Sequence, residues 1–187
     1  MEPCSPTPVK LIIGVLYSDE GLFAEAEQRL IERYGALDFK SQVFPFEVSD
    51  YYVPEMGASI QRLFLSFVRL ISPGDLAAVK IRCNGVENEL AVSGRRRVNL
   101  DPGYMDYDKV VLASAKYNAH KIYLSDGIYA DLTLRYQKGR FHPSPYCFPD
   151  FKSGEYDKVM NHIRALYKGQ VRKHLGGGKG GAGTPMK

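Results

Sequence analysis

Leu11-Ile-Ile-Gly-Val-Leu16 is an uninterrupted apolar run, too short for an average helix and rich in β-branched residues. It predicts a strand over Lys10–Tyr17, buried on both faces and central in its sheet. Ser18 or Asp19 then offers an N-cap, and Leu22, Phe23, Ala26, Leu30 and Tyr34 recur at helical spacing until Gly35 stops them. A second strand is expected near Phe39–Phe46, with Pro45 at an edge or a strand end. Met56, Ile60, Leu63, Phe64, Phe67 and Ile71 fall on one stripe with Arg62 and Arg69 off it, which predicts an amphipathic helix ended by Pro73-Gly74. Leu76, Val79, Cys83, Val86 and Leu90 step by three and four and predict another helix, with Gly85 as a point of kinking or early termination.

From Arg95 onward the pattern changes to strands, over Arg96–Leu100, Lys109–Ala115, Lys121–Leu124 and Ile128–Gln137. Ser125-Asp126-Gly127 makes the last two a hairpin, and Lys109–Lys116 also suits a short helix. In the second hairpin arm Ile128, Ala130, Leu132 and Leu134 alternate with Tyr129, Asp131, Thr133 and Arg135, so one face is expected inside and the other polar. A Pro- and aromatic-rich loop, Phe141–Phe151, leads to a C-terminal helix of about five turns with Tyr156, Val159, Ile163 and Leu166 inward. Together these elements describe an α+β fold, a single domain with a mixed, largely antiparallel sheet packed by about four helices. Residues 1–8 read as a flexible N-terminus, 9–167 as the globular domain, and 168–187 as a basic helix end with a Gly-rich flexible tail.

Composition changes this picture in two respects. The 187 residues carry a net charge of +4, but Lys168, Arg172, Lys173, Lys179 and Lys187 lie in a stretch without acids, and the preceding body holds 20 basic against 21 acidic residues. A near-neutral body argues against a surface that is one electrostatic funnel for nucleic acid. Cys4, Cys83 and Cys147 form no close pair, so neither a disulfide framework nor structural zinc is suggested, and a reducing, cytoplasmic setting fits. The first eight residues, broken by three prolines, do not read as a signal peptide, and no apolar run reaches the length of about 20 residues that a membrane span needs.

Four groups of polar residues carry candidate chemistry. Lys80, Asn84 and Glu87 are four and three residues apart, so a helix stacks a cation, an amide and a carboxylate on one face. Such a row can grip a phosphorylated ligand or place an acid and a base, although a solvated helix face is the commoner origin of the pattern. Arg95-Arg96-Arg97 enters Val98-Asn99-Leu100, followed by Asp101-Pro102-Gly103-Tyr104. Pro-Gly specifies a type II turn, Asn99 and Asp101 share a face, and the middle arginine must point away from its neighbours. Beside guanidinium groups these polar residues can bind an anion, or can merely cap a turn. Tyr51-Tyr52 with Glu55 suits a helix N-terminus. Lys116, His120, Lys121 and Asp131 surround the hairpin.

Other sites lack their signatures. The glycine-rich tail lacks phosphate-loop spacing, and no dinucleotide fingerprint follows the first strand, whose exit bears Ser18-Asp19-Glu20. His120, His142, His162 and His174 never stand at metal spacing, so no dedicated zinc site is expected and no metal ligands are singled out, the cofactor is left open, and no nucleophile elbow occurs.

Several segments together resemble one family, the bacterial and archaeal proteins grouped as domain of unknown function 4416. The resemblance rests on Tyr51-Tyr-Val-Pro-Glu-Met-Gly57, Lys80 through Glu87, Arg97-Val-Asn-Leu-Asp-Pro-Gly-Tyr104, Leu112-Ala-Ser-Ala-Lys116 with His120-Lys121, and Gly127-Ile-Tyr-Ala-Asp131. It implies that Tyr52, Glu55, Lys80, Asn84, Glu87, Arg97, Asn99, Asp101, Lys116 and His120 belong to a shared pattern, and implies no reaction. Asp131 stands where the pattern has a glutamate, and Tyr146-Cys-Phe-Pro-Asp150 replaces a Trp-Thr-Tyr-Pro-Asp form.

The expected function is an enzyme or binding protein for an anionic, phosphorylated small molecule. Glu87, Asp101, Lys116 and His120 are the candidate catalytic groups, and Tyr52, Glu55, Lys80, Asn84, Arg97, Asn99, Tyr104 and Asp131 the candidate ligand contacts. The alternative is a nucleic-acid-binding module using the Arg95–Arg97 patch, tyrosines and basic tail. Both signs of charge in the clusters favour the first.

Overall fold

The computed structural model describes residues 2–57 and 59–176, with side chains up to Lys173. The Gly-rich tail expected from residue 177 onward lies outside the described residues. Nine strands form one antiparallel sheet in the order β2-β4-β1-β5-β6-β8-β7, with β3 also on β4 and β9 also on β8. They are β1 (Val9–Tyr17), β2 (Leu37–Lys40), β3 (Phe44–Pro45), β4 (Gln61–Ile71), β5 (Val98–Met105), β6 (Lys109–Ser114), β7 (Ile122–Ser125), β8 (Ile128–Gln137) and β9 (Arg140–Pro143). No parallel pair occurs among the described residues. The helices are α1 (Glu20–Tyr34), α2 (Val53–Met56), α3 (Leu76–Glu89), α4 (Pro149–Lys152) and α5 (Asp157–Gly176).

Strand β1 is buried at all nine positions and lies between β4 and β5. Its odd-numbered residues Leu11, Ile13 and Val15 meet α1 and α3 on one face of the sheet, whereas Ile12 joins Phe64, Met105 and Leu134 beneath α5 on the other. The result is three layers, with one apolar core on each side of the sheet. Asp19 caps α1 by accepting from the Leu22 N–H at 2.9 Å, and Gly35 ends the helix at φ 89°.

Three expectations change. The stripe through Met56–Ile71 is not a helix: Met56 closes the short α2, and Gln61–Ile71 is the eleven-residue β4. Arg62 through Phe67 are buried consecutively because β4 is covered on both faces, and a continuous buried run contains every helical spacing by default. Pro102-Gly103 is not a turn but the middle of β5, opposite Ile13 and Ile12 of β1. In β8 the alternation reverses at a bulge between the pairs Val110↔Leu134 and Val111↔Leu132, leaving Leu132 exposed and Thr133 buried. Helix α3 runs through Gly85 without a break. In α5, Met160 and Tyr167 are buried with Tyr156, Val159 and Ile163, while Leu166 borders an open groove.

Candidate functional site

The sheet opens between β5 and β6. These strands pair only through Gly103↔Leu112, Tyr104↔Val111 and Met105↔Val110, and beyond Gly103 they separate. The Leu100 N–H and C=O face the opening rather than β1, and α3 satisfies both. Lys80 Nζ donates to the carbonyl at 2.7 Å, and Glu87 Oε1 accepts from the N–H at 2.7 Å. Backbone polar groups of a strand return to the same edge every second residue, so residue 102 presents that edge too, and proline has no N–H to offer β6. Gly103 marks the crossing, since a Cβ there would lie 2.5 Å from the Val111 carbonyl oxygen. A proline that withholds a donor and a glycine that admits close approach therefore set where the sheet divides.

The opening is a cleft of about 350 Å³. Lys80, Asn84 and Glu87 of α3, Asn99 and Asp101 of β5, Ser114 and Lys116 at the end of β6, and Asp131 of β8 all line it. Tyr51 and Tyr52, in a 3-10 turn ahead of α2, and Phe148 form its aromatic sides, and Arg96 and Lys121 complete the charged lining. Lys80 and Glu87 are thus buried rather than on a solvated helix face.

Most of the charges are committed to one another. Arg96 donates to Glu55 through two hydrogen bonds of 2.6 and 2.7 Å, to Glu87 at 2.8 Å and to the side-chain Oδ1 of Asn99 at 3.0 Å. The Asn99 amide donates to Asp101 Oδ2 at 2.9 Å, and Lys80 Nζ stands 3.6 Å from Asp101 Oδ1 and 3.7 Å from Glu87. Burial pushes the Glu87 carboxyl up, while Lys80, the Leu100 N–H and Arg96 pull it back. The Arg96 guanidinium holds the less buried Glu55 below the usual carboxylate range. Burial, with the Asp101 charge, raises the Tyr52 phenol, and burial, helped by the Glu87 and Asp101 charges and opposed by Lys80, takes the Cys83 thiol up to about 12, which leaves that thiol unreactive.

The opposite wall is less tied down. Lys121 Nζ donates to Ser114 Oγ at 2.9 Å and lies 3.4 Å from Asp131 Oδ2. His120 Nε2 lies 3.6 Å from Asp131 Oδ1, both atoms are buried, and neither has a hydrogen-bond partner. The His120 ring stacks on Tyr146 at 4.6 Å. Lys116 donates to the Tyr51 hydroxyl and sits 4.0 Å over that ring, with no carboxylate among the described residues within ion-pair distance.

Of the residues singled out in the sequence, Tyr52, Lys80, Asn84, Glu87, Asn99, Asp101, Lys116 and Asp131 line this one cleft. Four do not. Glu55 stands behind Arg96, and Arg97 turns away to donate to the Met56 carbonyl at 2.9 Å. His120 backs Asp131, and Tyr104 lies on the α3 face of the sheet among Leu76, Ala77 and Val111. Arg96 occupies the position expected for Arg97, as the parity rule for the middle arginine allows. Ser114 and Lys121 were outside the candidate set, although both fall in segments that carry the family resemblance. No group of three or more His, Cys, Asp and Glu among the described residues is arranged to hold a metal ion.

Fold and site define an α+β protein whose antiparallel sheet opens at one end into a polar cleft. The family described as Domain of unknown function (DUF4416) matches residues 7–167, and the chain belongs to that family. No curated protein and no solved structure matches it. No helix among the described residues is long and apolar enough to cross a membrane.

Proposed function

We propose that the cleft binds an anionic, phosphorylated small molecule, as an enzyme or as a binding protein. The observation that supports this reading is the convergence of Lys80, Asn84, Asn99, Asp101, Lys116, Lys121 and Asp131 on one concavity. Both signs of charge suit a ligand that carries a phosphate and hydrogen-bond donors together. The network divides the labour. Arg96, Glu87 and Lys80 are engaged by partners within the protein and act as positioning groups. Lys116, with no carboxylate among the described residues within ion-pair distance, and Lys121 take the anion, while Asp101 and Asp131 accept from its hydroxyl or amine groups. Arg96 and Arg97 are engaged by their own chain, so the Arg95–Arg97 patch offers nucleic acid little.

Thermal unfolding against orthophosphate, sugar phosphates and nucleotides, with and without Mg²⁺, tests the reading. A ligand held about 100-fold above its Kd stabilises by about 2.7 kcal/mol, which for a chain of this size raises Tm by roughly 5–10 °C. Lys116→Ala and Asp101→Asn each abolish that rise while leaving the unliganded Tm close to the wild-type value. Silence from every phosphorylated compound, or an undiminished rise in both variants, removes the proposal.

A further inference from the structure

Beyond the cleft, the same face of the sheet carries a group of exposed tyrosines. Asp131, which lines the cleft, and Tyr129 are two residues apart on β8, so their side chains share a face, and Tyr129 is paired with Ser114 of β6. Across the strand pair Tyr129 faces Tyr123 of β7, with ring centroids 5.4 Å apart, and Tyr117 closes on it at 5.8 Å. Both contacts are edge-on, at 69° and 67°, and Tyr117 and Tyr123 remain 73% and 59% exposed. Both rings thus keep most of their surface open to a ligand.

The two faces of this edge differ in chemistry. Two of its exposed aliphatic residues, Ile122 and Leu132, pair with Ala130 and Val111, which belong to the apolar cluster on the α3 side, so they stand on the other face. The cleft side therefore presents tyrosines next to Lys116, the cation without a carboxylate partner. An aliphatic protein surface suits the far face. Aromatic planes with a free ammonium suit bases joined by phosphates, because every base has a π-face and every linkage a negative charge.

We propose that Tyr117, Tyr123 and Tyr129 form a stacking platform for single-stranded nucleic acid that leads into the cleft, with Lys116 holding a backbone phosphate at the join. This rests on the anion site of the cleft reading at Lys116 and replaces its small molecule by a strand, whose phosphorylated end nucleotide occupies the cleft. Three rings spread over two strands and a loop exceed what one base can cover, which favours a strand over a mononucleotide.

Fluorescence anisotropy with the full chain and a labelled oligouridine of about eight nucleotides, at about 0.15 M salt, tests the platform. Tyr117→Leu and Tyr123→Leu change exposed side chains outside the cleft lining. Each weakens oligouridine binding about tenfold or more, and Tyr117→Phe and Tyr123→Phe restore it, since the plane and not the hydroxyl does the stacking. The thermal response to ribose 5-phosphate stays as in the wild type. Undiminished oligouridine binding by the leucine variants, or no binding while ribose 5-phosphate still stabilises the protein, overturns the platform and leaves the cleft reading standing. Uridine monophosphate binding as tightly as the oligomer overturns the strand as occupant. A concentration-dependent dimer dissolved by the same substitutions makes the occupant a second copy and overturns the proposal. Silence from ribose 5-phosphate, orthophosphate and oligouridine alike removes both readings.

Discussion

Glu87 and Glu55 share one guanidinium and respond to it in opposite directions. Glu87, almost wholly buried, is pushed up by loss of hydration, whereas Glu55, a third exposed, is pulled down by its two bonds to Arg96. A carboxyl whose folded-state pKa is depressed contributes stability that is complete above its unfolded value of about 4.3 and is lost as the pH falls through the folded value. Glu55→Gln should therefore lower Tm at neutral pH, and the gap to the wild type should close as the pH is taken down from about 5 towards 3. Melting curves across that range decide it, and a gap constant with pH would mean that the Glu55 charge is not what Arg96 holds. For Glu87 the sign is opposite, since protonation relieves a cost of burial. The residue pattern was legible here only in part. Spacing put Lys80, Asn84 and Glu87 on one helix face, but whether that face met water or protein depended on the neighbouring strand edge, which local periodicity does not contain.

Among the elements, β5 departs furthest from its sequence signals. Asp-Pro-Gly-Tyr carries the residues of a turn, and in isolation the type II assignment is sound. Inside the sheet β1 supplies one ladder and overrides it, while the missing amide is left facing the edge where no ladder is made. Gly103→Ala should destabilise the protein by about 1–3 kcal/mol, because the added methyl meets the Val111 carbonyl oxygen and Leu112 at the crossing. Urea unfolding measures this, and an unchanged midpoint would show that β5 and β6 can move apart there. The β4 misassignment has a different cause. A helix stripe and a doubly buried strand share the positions Leu63, Phe64 and Phe67, and Arg62, Leu65 and Ser66, buried yet off the stripe, tell them apart. By contrast β1, α1, α3 and the pairing of β7 with β8 could be read directly, from an unbroken apolar run, from helical spacing and from the Ser125-Asp126-Gly127 turn respectively.

At the scale of the whole molecule, a polar knot ties the sheet to α5. Lys10, fully buried in β1, donates to Asp38 of β2, to the Phe67 carbonyl at 2.6 Å and to Gln170 of α5 at 2.9 Å, while Asp38 also accepts from Ser66 at 2.6 Å. Removing one member of such a pair strands the other. Asp38→Ala should cost about 3–5 kcal/mol by leaving the Lys10 ammonium unpaired in the core. Lys10→Met should cost less, since Asp38 keeps Ser66 and Gln170 and is partly exposed. Equal losses in denaturant unfolding would contradict that asymmetry. The knot lies on the β2-β4-β1 side of the division in the sheet, so the cleft has one wall anchored to the core. The other wall is paired with β5 at only three residues and is held otherwise by apolar packing, Val110, Leu112 and Leu134 beneath α5 and Val111 and Ala113 against Leu76 and Ala77 of α3. Strands advance about 3.3 Å per residue, and residues facing one edge recur in steps of two. The depth of the cleft is thus quantised by the place of a single imino acid: moving Pro102 one step along β5 would deepen or fill it by about 7 Å, a change large enough to exchange one class of guest for another while every helix stays in place.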